Sequence, residues 1–250
     1  MGTSLFKIGI RSGCPACGYA TYILTEQAIE QVKVSYWHEK RIQNEPCYTL
    51  QNEKIKVMFN ILDGSIDFMI DKATGKEMID AARKSGIFRL VDEADHKEIT
   101  DEGTGMSSWF VGRYKHIQWI HQNLEITSTK GTLRSQIAYE LSFRNSKLKV
   151  MISLDKGSSH LDFKVECDWQ EVGCLGKGVP QLQFYMPLHD SCAMYHYDVP
   201  FGRVTRQALD IDLPGNNYIY GEGKDGSAGV MLMSKVGYGF RGADNLPLPY

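Results

Sequence analysis

The sequence predicts an all-β protein whose bulk is one large antiparallel β-sandwich. Three observations predict it. Apolar residues recur at every second position in run after run, as half-buried strands require. Turn-forming residues fall between the runs. No stretch alternates a strand with a long helix, which argues against a parallel α/β fold.

The first hairpin pairs a run with Ile55, Val57 and Phe59 on one face with a run carrying Ile66, Phe68 and Ile70. Between them Asp63 and Gly64 form a dipeptide suited to a tight turn with positive φ. Residues 71–76 (DKATGK) read as the next turn. Later, Ile137, Tyr139, Leu141 and Phe143 alternate with polar neighbours, then Leu148, Val150, Ile152 and Leu154 do the same. After a turn at residues 155–158, Leu161, Phe163, Val165, Cys167 and Trp169 form a third alternating run. Each of these strands is expected to bury one face and wet the other. Further strand candidates are residues 182–186, 194–199 and 230–233. Helical signal is confined to residues 25–34 and 77–84, both too short to be stable alone.

Composition bounds the function classes. A net charge of −2 with 23% charged residues gives no basic nucleic-acid footprint, so no nucleic-acid partner is expected. No run of about 18 apolar residues exists to span a membrane as a helix, so no membrane partner is expected either. The N-terminal stretch shows no signal-peptide pattern. Six cysteines in 250 residues are too sparse for a disulfide scaffold, which points to a reducing cytoplasm.

A boundary falls where charged residues and Pro46 precede the first sandwich strand. Residues 1–43 read as the end of a small β domain and a linker, and residues 44–250 as the sandwich. Pro247 and Pro249 sit where the pattern predicts another strand. Proline cannot donate to a ladder, so the tail reads as a loop or a point of C-terminal truncation.

Five stretches resemble, in order, the C-terminal half of family 38 glycoside hydrolases, the α-mannosidases. Residues 6–24 (FKIGIRSGCPACGYATYIL) resemble the strand and turn that close the small β domain. Residues 50–79 resemble the first sandwich hairpin with its Asp-Lys-x-Thr-Gly turn, and residues 131–169 the central hairpins ending in acidic-x-Trp. Residues 197–208 (YDVPFGRVTRQA) resemble a Pro-Phe-Gly segment with an Arg four residues after the Gly, here Arg206. Residues 229–242 resemble a strand pair ending in Tyr-Gly-Phe. The resemblance implies a supersandwich of the galactose mutarotase-like kind. It also implies a catalytic barrel of the same polypeptide as partner, with mannose-containing glycans as substrate. In the family that barrel holds a carboxylate nucleophile and a zinc bound by Asp and His. None of those motifs stands in this sequence, so no catalytic residue, no metal ligand and no cofactor is expected on this segment. Two departures stand out: the Cys14-x-x-Cys17 motif before the Gly-Tyr turn, and the missing final strands after Asn245.

Several groups carry potential chemistry. Residues 105–114 are glycine-flanked, aromatic and basic, so Trp109, Arg113 and Tyr114 are candidates for sugar contact. The alternative reading has Trp109 and Phe110 straddle the sheet and pack against core and barrel. Residues 92–102 before them read as an acidic loop. His189, Asp190, His196 and Asp198 are metal-ligand or acid/base types. The last two, His196 and Asp198, also stand among the sugar-contact candidates; they share one strand face, which equally suits a plain wet surface. Arg206 belongs with the sugar-contact candidates, though Arg203 and Arg206 with Asp210 and Asp212 also read as a solvated charged loop. Cys14 and Cys17 lack the further ligands that a zinc site needs.

The expected function is that of a non-catalytic sandwich segment of a retaining α-mannosidase, supporting the barrel and rimming its glycan cleft. Two rivals remain: a stand-alone carbohydrate-binding module, and a mutarotase-like aldose epimerase using His196 with Glu166 or Asp198.

Overall fold

The computed structural model describes residues 13, 17–23, 47–80, 82–94, 114–120, 124–174, 177–224, 229–235 and 239–243. These residues form antiparallel sheets and contain no helix. The expected boundary near residue 43, the tail beyond residue 244 and the possible helix at 25–34 lie outside the described residues. The other possible helix does not form: Glu77 and Ile79 make single bridges to Ile70 and Leu188, and a turn at Asp80 follows.

Strands β1 (Cys47–Gln51), β2 (Ile55–Asn60) and β3 (Ile66–Asp71) make the first sheet. Ile55, Val57 and Phe59 are buried, as their alternation requires. The β2–β3 turn is longer than a two-residue hairpin, because the amide of Asn60 bonds the Ser65 carbonyl across it. Gly64 still takes the positive φ, at 69°. In the next turn both oxygens of Asp71 accept hydrogen bonds, from the Ala73 amide and the Thr74 hydroxyl.

A second sheet runs β6 (Thr127–Lys130), β7 (Arg134–Phe143), β8 (Ser146–Asp155) and β9 (Asp162–Asp168). Arg144 and Asn145 join β7 to β8 in a two-residue turn, with Arg144 at a φ of 45°. The inward residues of β7 and β8 are nearly inaccessible: Leu148 and Ile152 are 0% exposed. They form one core with Val57, Phe59, Ile66, Phe88 and Leu90 across the sandwich. Each such side chain contributes about 1.5–3 kcal/mol by leaving water. The third alternating run departs from expectation. On β9 only Phe163 is half-buried and Val165 remains 38% exposed; Trp169, just past the strand, is 36% exposed.

The third sheet places β4 (Ile87–Glu93) between β10 (Val179–Tyr185) and β5 (Tyr114–Trp119). Every residue of β4 is buried, Asp92 and Glu93 included. The acidic loop read from residue 92 onward therefore begins inside a strand. Asp92 is held there by Arg144, and residues 95–102 lie outside the described residues.

The fourth sheet runs β12 (Gly202–Arg206), β11 (Cys192–Val199), β14 (Tyr218–Gly223) and β15 (Val230–Met233). Short β13 (Leu213–Pro214) pairs with β16 (Gly239–Phe240) beside it. Tyr195, Tyr197, Ile219 and Phe240 form a second, smaller core.

Candidate functional site

Antiparallel pairing decides which side chains meet. Residues opposite one another across a ladder share a face. Arg89 lies opposite Gln183 on β10 and Trp119 on β5, and Tyr114 lies opposite Glu93. Alternation therefore puts Arg89, Glu93, Tyr114, Trp119, Gln183 and Tyr185 on one face of the third sheet. Phe88, Leu90 and Asp92 point the other way, into and beside the main core.

On that polar face one chain of contacts runs across the strands. Arg89 Nε donates to Gln183 Oε1 at 2.9 Å. Gln183 Nε2 donates to the Tyr114 hydroxyl, and Tyr114 in turn donates to Asp212. Arg241 Nε donates to the other Asp212 oxygen at 3.0 Å, and its Nη1 reaches Asp210 at 2.9 Å. The Arg241 guanidinium lies 4.1 Å from the Tyr114 ring centroid, and Arg89 stacks on Tyr185 at 4.6 Å. Both are cation–π geometries.

Electrostatics fix the protonation of this cluster. Burial raises the Tyr114 phenol far above its ordinary value, and the adjacent Asp212 charge raises it further. Tyr114 is therefore a neutral donor. Burial lowers Arg89 from its usual value. For Arg241 burial works against the charge, but the Asp212 carboxylate outweighs it and the group ends raised. These groups can hold hydroxyls and orient a polar ligand.

Arg206 faces the same region from β12. It lies opposite Tyr195 and stacks on Tyr197 at 4.8 Å. Burial raises the Tyr197 phenol, and the charges of both Arg206 and Asp212 act on it. The Tyr197 hydroxyl accepts a hydrogen bond from the Gly242 amide at 3.2 Å, one residue after Arg241, so Arg206 adjoins the Tyr114–Asp212–Arg241 chain. Arg206 Nη1 is buried and has no hydrogen-bond partner. Asp212 is not in a solvated loop with Arg203 and Arg206, as the sequence suggested: its side chain is only 12% exposed and is paired with Arg241.

The structure separates the remaining candidates. Trp109 and Arg113 lie outside the described residues. His196 lies opposite Thr205 and Tyr220, on the reverse face of the fourth sheet from Tyr197 and Arg206. It is buried, with Nδ1 2.9 Å from the Thr205 hydroxyl and Nε2 2.8 Å from Glu222. Asp198 accepts hydrogen bonds from the side chain and backbone of Asn217. His189 and Asp190 bond each other at the surface, and Lys76 joins Asp190. The epimerase pairing of His196 with Glu166 is not assembled, since Glu166 lies on β9 and pairs with Lys164.

Sequence reasoning missed Arg89, Gln183, Arg241 and Glu222. Arg89 had a signal: a cation inside the apolar run IFRLV must find partners when buried. Among the described residues no group of three or more His, Cys, Asp or Glu is placed to hold a metal ion. Cys17 is exposed and free, and Cys14 lies outside the described residues. No described helix is long and apolar enough to cross a membrane.

No curated protein matches the chain. The family model of the glycosyl hydrolases family 38 C-terminal domain matches residues 50–246. That span begins inside β1 and covers every later strand, including all of the Tyr114–Asp212–Arg241 cluster and Arg206. The chain belongs to the glycosyl hydrolases family 38, as its C-terminal domain.

Proposed function

We propose that this chain is the non-catalytic sandwich of a retaining α-mannosidase. It supports a catalytic barrel of the same polypeptide, and its polar face rims the cleft that receives mannose-containing glycans. The barrel supplies the carboxylate nucleophile and the zinc, consistent with two-step displacement. The cytoplasm, a reducing compartment, is part of the same reading, since six cysteines in 250 residues are too sparse for a disulfide scaffold.

The observation that carries the proposal is the chain of donors from Arg89 through Tyr114 to Arg241. It is a neutral phenol between guanidinium groups, set where two sheets meet, with Arg206 adjoining and one of its nitrogens unsatisfied. Such groups read hydroxyls, and the flanking aromatic faces suit a sugar ring. Trp109 and Arg113 join Tyr114 in this role. His196 and Asp198 lie on the reverse face of the fourth sheet from Tyr197 and Arg206, so the glycan-facing role rests on Tyr114 and Arg206 together with Trp109 and Arg113.

The test uses aryl α-mannoside hydrolysis. The isolated 250-residue chain is expected to be inactive with or without added zinc. In the polypeptide that also carries the barrel, Arg206→Met is expected to raise KM while bound zinc stays unchanged. Turnover by the purified chain alone, or an unaltered KM in that variant, overturns the reading.

A further inference from the structure

Strand β9 is an edge of its sheet: among the described residues only β8 pairs with it. Its inward residues are far less covered than those of the neighbouring β8. Val150 and Leu148, opposite Val165 and Cys167, are 2% and 0% exposed, whereas Val165 is 38% exposed and Cys167 is also exposed. An uncharged row on one side and unpaired backbone along the edge make a template for another strand.

The direction of the free backbone groups follows from the β7–β8 turn. A two-residue hairpin closes on a hydrogen-bonded pair, here Phe143 and Ser146. Bonding direction alternates along a strand, so Lys147 bonds toward β9 and its partner Asp168 bonds back. Asp162, Lys164 and Glu166 bond to β8 likewise. Phe163, Val165 and Cys167 therefore aim their amides and carbonyls outward from the sheet.

We propose that two copies of this chain join by antiparallel β9–β9 pairing about a two-fold axis at Glu166. In that register Val165 pairs with Cys167 of the second copy, and Phe163 with Trp169, all through outward backbone groups. Lys164 lies opposite Asp168 of the second copy, twice by symmetry, in the wider-bonded pairs where side chains approach most closely. The one like-charged pair, Glu166 with itself, keeps Lys149 opposite each carboxylate within its own copy. Centring on Val165 instead sets Asp162 against Asp168 twice, a worse charge arrangement. The shared sheet then has eight strands, and Val165, Cys167 and Trp169 are covered.

Light scattering on the full chain is expected to give twice the monomer mass. Val165→Pro removes an outward amide that β8 does not use, so the variant is expected to be monomeric with an unchanged far-ultraviolet spectrum. Lys164→Asp is expected to weaken the dimer about tenfold, and adding Asp168→Lys is expected to restore it. With Cys14, Cys17, Cys167 and Cys174 changed to serine, Glu166→Cys is expected to form an intermolecular disulfide on mild oxidation, and Val165→Cys is not. A monomeric native chain overturns the proposal. So does a dimer that survives Val165→Pro, or one that cross-links through Val165→Cys rather than Glu166→Cys.

Discussion

Arg144 grips Asp92 with both terminal nitrogens, 3.0 Å from Nη1 to Oδ1 and 2.6 Å from Nη2 to Oδ2. The turn between β7 and β8 thereby clamps the buried central strand β4 of the facing sheet. Asp92 is 12% exposed at its side chain and Arg144 is 33% exposed. Removing the cation strands a mostly buried carboxylate, with His116 at 3.6 Å as its nearest substitute. Arg144→Ala is expected to cost about 2–3 kcal/mol in urea unfolding, less than a fully buried pair because water reaches the arginine. Arg144→Gly is expected to cost less than Arg144→Ala, because glycine relieves the positive φ at this position.

Gly64 and Gly75 both hold a positive φ, at 69° and 70°, but only one is crowded. A Cβ on Gly64 would lie 2.9 Å from Tyr139 Cε1, whereas one on Gly75 would meet nothing within 4 Å. Gly75→Ala is expected to cost about 1 kcal/mol, from backbone conformation alone. Gly64→Ala is expected to cost about 1–3 kcal/mol more, because the Tyr139 ring must move within a packed core. Thermal unfolding of the two variants side by side measures the difference.

Asp63 is buried in the same turn. Burial opposes its charge, but hydrogen bonds from Lys84 and Ser65 outweigh this and leave the carboxyl below its ordinary value. A depressed carboxyl stabilises the fold above the unfolded value of 3.8, and that stability is lost as pH falls through the folded value. Lys84→Met is expected to move the acid-unfolding midpoint upward in pH. A midpoint that stays put would show that Ser65 alone holds the carboxylate.

Tyr114 and Tyr139 give the alkaline counterpart. Both phenols are raised above the usual value of 10.0, chiefly by burial. Stability from a raised phenol is complete below pH 10.0 and declines as pH climbs toward the folded value. Tyr139→Phe is expected to unfold less steeply with rising pH than the unaltered chain, judged from denaturant midpoints across the alkaline range. Tyr114→Phe shares that trend but also loses about 1–3 kcal/mol at neutral pH, since Asp212 and Gln183 lose their common partner.

Strands with one wet face were readable from sequence. Leu148, Val150, Ile152 and Leu154 alternate with polar residues, and the structure buries those four. Strand β4 was not readable, because burial on both faces erases alternation and leaves IFRLVDE looking like neither strand nor loop. Part of the candidate site was readable too, Tyr114 from local composition and Arg206 from the Pro-Phe-Gly segment. The rest depends on pairing between distant segments. Asp212 and Arg241 look like ordinary surface charges until the fold delivers them to Tyr114. The exposure of β9 was equally hidden, because alternation says which side chains share a face but not whether anything covers that face.

The pairing of β4 with β10 joins Ile87 to Tyr185 and Glu93 to Val179, partners that emerge from the ribosome far apart in time. A nascent chain that has produced only the first two sheets must carry Phe88, Leu90 and the Arg89 guanidinium with one flank bare until residue 185 is made. Translation through residues 94–178 is therefore the interval in which a chaperone has most to shield.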